Sequence, residues 1–261
     1  MKKIEEKELE EGITGLEKII NEKPDWYIDC DLNFGKKQKA IRELGTLVKE
    51  IYQKNYEKNS LYKRGMDILL NAAGNRDHYV RGCAAEILGE LKYKNNDLVS
   101  VTDKLLRLLD IAWYETDQVM NALAKIDYNS CPEIKQVVIK GVTKTYILSD
   151  SWKSKANIQP TLEKMLTEDS GYKELMIEKI GELYKKDPSK DARTMFGYHT
   201  GINTVNLLEI LFHKNNRLDY KFIRNNEKGI ENTLNLIKKN AKYIDAINAA
   251  KKYLQQLNLK K

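Results

Sequence analysis

The residues of this chain best placed to do chemistry fall into three small groups. Trp113-Tyr-Glu-Thr-Asp117 sets an indole and a carboxylate four positions apart, between two predicted helices. There the indole can pack over the helix pair, while Thr116 or Asp117 caps the next helix by accepting from its unpaired backbone amides. Asp29-Cys-Asp31 puts two acids together, but two carboxylates without further oxygen ligands make a weak cation site, and Asp31 serves equally well as a cap. Cys30 between them has no histidine base in its sequence context to activate it. Gly197-Tyr-His-Thr-Gly201 has no preceding strand and no G-K-[ST], so it is not a phosphate loop. It reads as a connector whose glycines supply unusual backbone angles, with Tyr198 and His199 as candidate contact residues. The carboxylates are dispersed along the chain and His78, His199 and His213 stand apart, so no catalytic residues are expected. Cys30, Cys83 and Cys131 form an odd set without a C-x-x-C pair, and no H-E-x-x-H occurs; neither a disulfide framework, a metal nor a cofactor is expected.

The elements that must position these residues are helices. Leu9, Ile13, Leu16 and Ile20 step by four, three and four, giving one apolar stripe that ends before Pro24. An irregular aromatic connector over 23–34 is expected next, then a helix from about Lys36 to Tyr56 with Ala40, Leu44, Leu47, Val48 and Ile51 inward. Further helices are predicted to start at Ser60, at Asp77 as a cap, at Asp97 as a cap, near Thr116, at Pro132 in a first helical position, at Pro160 and after Gly171. Beyond Asp187-Pro188 helices are expected near 204–213 and 217–224, with one long terminal helix from about Gly229 to Leu257. Only 4 prolines and 14 glycines in 261 residues, and no period-two alternation, point to an all-α chain.

The stretch Asp77-His-Tyr-Val-Arg-Gly-Cys-Ala-Ala-Glu-Ile-Leu-Gly-Glu-Leu91 carries the strongest pattern. Val80, Ala84, Ile87, Leu88 and Leu91 share a face, Ala84, Ala85 and Gly89 allow close helix approach, and Arg81 lies off the stripe, within reach of a capping acid in an adjacent repeat. Cys83 reads as a small buried thiol. Its ending recurs: Leu44-Gly-Thr-Leu47, Leu88-Gly-Glu-Leu91, Leu123-Ala-Lys-Ile126 and Ile180-Gly-Glu-Leu183, at spacings of 44, 35 and 57 residues. The first two fit a period of about 40 and the third requires an insertion or an eroded repeat. The Asp, Val-Arg, Ala-Ala and Leu-Gly positions resemble the second helix of a HEAT repeat. That resemblance implies an all-α, HEAT-like right-handed superhelix of stacked antiparallel helix pairs. It is expected to form a single α-solenoid domain over 1–261, with repeat-like pairs clearest in 36–186 and a less regular helical cap over 200–261.

Formal net charge is +7 but unevenly placed. Residues 36–64 carry nine Lys/Arg against three Glu, and residues 214–261 carry twelve Lys/Arg against four acids, leaving the remainder net acidic. These segments are candidates for nucleic-acid binding, with Tyr52 and Tyr56, on one helix face, as stacking partners while Lys54, Lys63 and Arg64 meet phosphates; a lysine-rich solvated surface is the plainer reading. No apolar run approaches the roughly 18 residues of a membrane span, and acids follow the N-terminal Met1-Lys-Lys, so a cytoplasmic protein without a membrane partner is expected. Trp113 and Asp117 resemble, in spacing, the aromatic platform and carboxylate of alkylpurine DNA glycosylases built from HEAT-like repeats. That likeness implies stacking by Trp113 on a cationic base and electrostatic stabilisation by Asp117 at the sugar. A further resemblance, to the phycobilin-lyase-like branch of HEAT proteins, implies an enzyme or chaperone, although no residue here marks a tetrapyrrole site. One architecture hosts many functions. The adopted expectation is a noncatalytic scaffold that binds a protein or peptide on its concave face; the alternative is a nucleic-acid-binding solenoid.

Overall fold

The computed structural model describes the chain apart from residues 1, 23–29, 54–59, 94, 112–115, 129–130, 150–157, 169–170, 191–197, 215–216 and 259–261, and gives the backbone alone at 2–6, 30–34, 95, 110–111, 164, 167–168, 214 and 258. Thirteen α-helices occur among the described residues, and they pack on one another in two compact units, Met1–Ile134 and Lys135–Lys261. None is long and apolar enough to cross a membrane.

The first unit contains α1 (Lys2–Asn21), α2 (Cys30–Gln53), α3 (Ser60–Ala72), α4 (His78–Glu90), α5 (Asn95–Ile111) and α6 (Thr116–Lys125). Neighbours in sequence pair, α1 with α2, α3 with α4 and α5 with α6. The second members of these pairs also touch in order, so that α4 lies between α2 and α6. The sequence stripes supply the core: Ile13, Ile20, Ala40, Leu44, Val48, Leu69, Val80, Ala84, Leu88, Val119 and Leu123 are all buried. Asp77 caps α4 as expected, its Oδ1 accepting from the Tyr79 amide at 2.8 Å and from Val80 at 3.4 Å. Asp97 does not cap α5. That helix begins at Asn95, and Asp97, in its first turn, accepts instead from the Tyr62 hydroxyl of α3 at 3.3 Å. The expected irregular connector is likewise shorter, because α2 is helical from Cys30, six residues before the predicted start.

The second unit holds most of α7 (Pro132–Leu148), then α8 (Gln159–Glu168), α9 (Gly171–Leu183), a short 3-10 turn at Pro188–Lys190, α10 (Tyr198–Phe212), α11 (Tyr220–Asn225), α12 (Glu227–Asn240) and α13 (Ile244–Asn258). Buried Asn203 ties α10 to the end of α7, its amide nitrogen donating to the carbonyls of Tyr146 at 2.9 Å and Ser149 at 2.7 Å. α12 packs between α9 and α13, and α13 also packs on α10.

Three expectations for this unit are corrected. A two-residue antiparallel hairpin pairs His213 with Leu218 and Lys214 with Arg217, where a helix was expected from 217; α11 starts only at Tyr220, capped by Asp219. The single terminal helix is two. Ala241 takes an extended conformation with ψ of 134°, and Asn240 donates to the Tyr184 carbonyl at 2.7 Å. Ile244, which continued the stripe on paper, is 60% exposed. Finally, residues 198–201 are the first turn of α10 and not a loop. Gly201 serves there by lacking a Cβ: one added to it would lie 2.9 Å from the Cβ of Tyr243, in the break between α12 and α13.

Candidate interaction surface

The repeated Leu-Gly endings identify where consecutive helices of the first unit touch. Gly45 in α2 faces Ile87 of α4, where any Cβ would fall on the Ile87 side chain. Gly89 in α4 faces Ala122 of α6, and its missing Cβ would lie 2.7 Å from the Cβ of Ala122 and 3.1 Å from its carbonyl oxygen. Gly181, in the matching ending of α9, meets Thr233 of α12 in the same way at 2.8 Å. The motif therefore marks backbone approach, the small residue being the one that permits it.

Over these contacts runs a set of charge pairs. Arg42 of α2 meets Glu86 of α4 at 3.0 Å, and Glu90 of α4 meets Lys125 of α6 at 3.1 Å. The separations, 44 and 35 residues, are the spacings of the repeated endings. Residues at equivalent positions of successive helices thus stand side by side. Each pair is solvent-exposed, so each contributes roughly 0–1 kcal/mol and patterns the surface more than it stabilises it.

A second periodic device was not anticipated from sequence. The Tyr93 hydroxyl donates to the Leu88 carbonyl, and the Tyr128 hydroxyl to the Leu123 carbonyl at 2.8 Å. Both phenols sit five residues after the leucine whose carbonyl they satisfy, at a shift of 35. Each meets an acceptor that the helix end leaves open. The signal was present in Leu88-Gly-Glu-Leu-Lys-Tyr93 and Leu123-Ala-Lys-Ile-Asp-Tyr128. Burial pushes both phenols above the usual tyrosine range.

Of the proposed contact residues, Trp113 lies outside the described residues. Asp117 is half-buried in the first turn of α6, beside buried Thr116. Tyr198 and His199 belong to the other unit, at the start of α10; their rings lie 4.2 Å apart and Tyr198 is 44% exposed. Asp29 also lies outside the described residues. Arg81 donates to the carbonyls of Asn75 and Arg76, both at 2.8 Å, and so holds the turn that leads into its own helix. Cys83 is buried, its thiol set 3.6 Å from the Gln38 carbonyl and pushed up to about 11, first by burial. It is a packing residue. Among the described residues no group of three or more His, Cys, Asp or Glu is placed to hold a metal ion.

Four of the nine basic residues of the segment 36–64 meet acids. Lys36 pairs with Glu22 at 3.3 Å, Lys39 with Glu43 at 3.8 Å, and Arg64 with Glu17 at 2.6 Å, in addition to Arg42 with Glu86. Tyr52 packs its ring against buried Tyr62, centroids 6.0 Å apart; Tyr56 and Lys54 lie outside the described residues. In the terminal segment Lys238, Lys239, Lys242, Lys251 and Lys252 are all exposed. Compared with known proteins, the chain matches no family model, and no curated protein or solved structure is similar enough to serve as a relative.

Proposed function

We propose that the chain is an α-solenoid of the HEAT type, a right-handed stack of helix pairs that binds a protein or peptide partner on the concave face lined by its second helices and performs no reaction. The observation that carries this reading is the alternation of charge over α2, α4 and α6: Arg42, Glu86, Glu90 and Lys125 are exposed enough to meet a partner, and both signs are interspersed. A polyanion selects contiguous positive charge, whereas a mixed surface suits a protein of complementary pattern. Continuous packing of α4 between α2 and α6 offers such a partner one extended face.

One observation favours nucleic acid as a second reading. The exposed lysines 238, 239 and 242 cluster where α12 ends, with Lys251 and Lys252 on the neighbouring helix. In that reading Trp113 and Asp117 would be the residues to test for base excision.

Affinity capture with the wild-type chain and with a Glu86→Lys, Glu90→Lys variant tests the proposal. The expected result is a defined protein retained by the wild type and lost by the variant, with helicity unchanged. Identical retention by both would overturn the assignment of this face. Tight DNA or RNA binding that disappears in Lys238→Glu, Lys239→Glu would replace it with the second reading. Release of a methylated purine from duplex DNA, abolished by Asp117→Asn in a folded chain, would show catalysis.

A further inference from the structure

One end of the second unit gathers basic and apolar residues that the partner-binding reading does not use. α9 and α12 run side by side in the same direction. The Thr233 hydroxyl of α12 donates to the Ile177 carbonyl of α9 at 3.2 Å, and further along both helices the Asn240 amide donates to the Tyr184 carbonyl at 2.7 Å. The two helices therefore end together. Lys185 and Lys186 follow that second bond on one side, and Lys238, Lys239 and Lys242 flank it on the other. All five are exposed and, among the described residues, none is held in an ion pair. The acids nearby are fewer: Glu182 is engaged by Lys179 at 2.9 Å, Asp187 accepts from the Ser189 amide at 3.0 Å, and Asp245 is exposed. A cation at each helix end answers the helix dipole, but that does not call for five of them around an apolar tip. The tip is Ile244, at the break between α12 and α13, which at 60% is the most exposed large hydrophobic among the described residues. Beside it Tyr243 stands against Gly201 of α10, under the Lys242 ammonium 5.5 Å from its ring centroid. Tyr198, one turn before Gly201 on the same face of α10, is 44% exposed.

We propose that this end of the unit docks on an anionic membrane surface, the lysines over the lipid headgroups and Ile244 and Tyr198 entering the headgroup layer. Lysine suits that role, because its stem lies along apolar material while its ammonium reaches the phosphates. No arginine belongs to the set, so the two-pronged grip of a defined phosphate site is missing from it. A nucleic-acid backbone would also accept the five cations, but it gains nothing from an exposed isoleucine, whereas a lipid surface buries one. The expectation of no membrane partner rested on the lack of a spanning run, which does not bear on docking at the surface. The proposal is independent of the face formed by α2, α4 and α6, which lies in the other unit, and it competes with the nucleic-acid reading of the terminal lysines.

Sedimentation of the full chain with lipid vesicles tests it. Vesicles of phosphatidylcholine with about one-third phosphatidylserine should bind the chain at least about tenfold more strongly than phosphatidylcholine alone, an advantage that shrinks as salt rises. Lys238→Glu, Lys239→Glu should weaken that binding at least about tenfold, since each lysine near the surface is worth about fivefold, with helicity and melting unchanged. Ile244→Ser should weaken it about threefold or more, by removing the inserted apolar side chain, and leave binding to duplex DNA as it was. Ile244→Trp should still bind, and spin-labelled lipid should quench its emission beyond the quenching of the three native tryptophans. Equal binding to both kinds of vesicle, no binding to either, or full binding by the lysine variant would overturn the proposal. Vesicle binding without excess quenching of Ile244→Trp would overturn it too, since the tip would then stay outside the lipid. DNA binding tighter than vesicle binding, lost in the lysine variant and kept in Ile244→Ser, would overturn it in favour of nucleic acid.

Discussion

Replacing Gly89 by alanine adds one methyl group at the α4–α6 contact. That carbon would fall on the Cα of Ala122, within 2.7 Å of its Cβ and 3.1 Å of its carbonyl oxygen. Two of these three atoms are backbone, so no rotamer change relieves the clash and the helices must move apart. Overpacking of this kind costs about 1–3 kcal/mol. Against it stands the gain of about 0.8–1 kcal/mol from exchanging glycine for alanine inside a helix, which leaves a net loss of about 0–2 kcal/mol. Gly15→Ala isolates the opposing term, because a Cβ at Gly15 in α1 meets nothing within 4 Å; it should stabilise by about 0.5–1 kcal/mol. Urea denaturation followed by circular dichroism measures both, a changed midpoint at constant slope being the signature of a stability effect. Adding Ala122→Gly to Gly89→Ala should recover part of the loss, since it removes the Cβ but not the Cα in the way, and the non-additivity would measure the contact directly. If Gly89→Ala stabilises the chain as Gly15→Ala does, helix approach through the Leu-Gly endings is wrong.

Leu88→Ala should cost about 2–5 kcal/mol in the same assay, because Leu88 is fully buried and its truncation leaves a cavity; a loss below about 0.5 kcal/mol would be a surface value. Asp77→Ala should cost about 1 kcal/mol by leaving the Tyr79 and Val80 amides without their cap, and Asp77→Asn should restore most of it. Alkylation of Cys83 by iodoacetamide at pH 8, read by peptide mass mapping, should be far slower in the native chain than in urea, since its thiol is buried and its ionisation is raised to about 11; equal rates would refute the burial. Glu182 is held below its ordinary value of 4.5, chiefly by its hydrogen bond from Lys179. A carboxyl depressed on folding contributes stability that is present above pH 4.5 and is lost as pH falls through the folded value. Glu182→Gln should therefore reduce stability slightly at pH 7 and make its fall below pH 4.5 shallower, an effect kept small by solvent exposure.

The helices were legible in the sequence where apolar spacing and a terminal residue agreed. Asp77 before Val80 and Leu88, Ser60 before Leu61 and Leu69, and Pro132 before Val138 each gave a boundary and a buried face that the structure shares. The recurrent Leu-Gly pair located the close contacts, because glycine between apolar residues in a helix has little purpose other than to admit a neighbour. Gly201 was misread for a related reason: a glycine beside aromatic and polar residues signals either free backbone angles or a missing Cβ, and only the position of Tyr243 distinguishes them. The division between α12 and α13 has no proline or glycine to mark it. The stripe Ile230, Leu234, Ile237, Ala241, Ile244 continues across it, and the interruption depends on Asn240 finding the distant Tyr184 carbonyl. Strands of two residues are too short for any periodicity. The charge pairs needed one further fact, that equivalent positions of consecutive helices abut, which becomes visible only when α2, α4 and α6 are set side by side.

That abutment makes the repeats compatible in shape but not interchangeable. A duplicate of α4 set beside α4 at the 44-residue register would place Gly89 against a second Ile87, the same fit that Gly45 makes with Ile87 in the chain as it stands. Packing would accept the insertion. The same register, however, would put Glu86 opposite a second Glu86, where Arg42 now stands. On its other side Glu90 requires a cation, which Lys125 supplies. The central helix is acidic toward both neighbours, and both neighbours answer with a base. Sterically the units form a series that could be lengthened anywhere, whereas their charges prescribe which unit follows which, so that a copied or exchanged helix would fit its place and still be out of order.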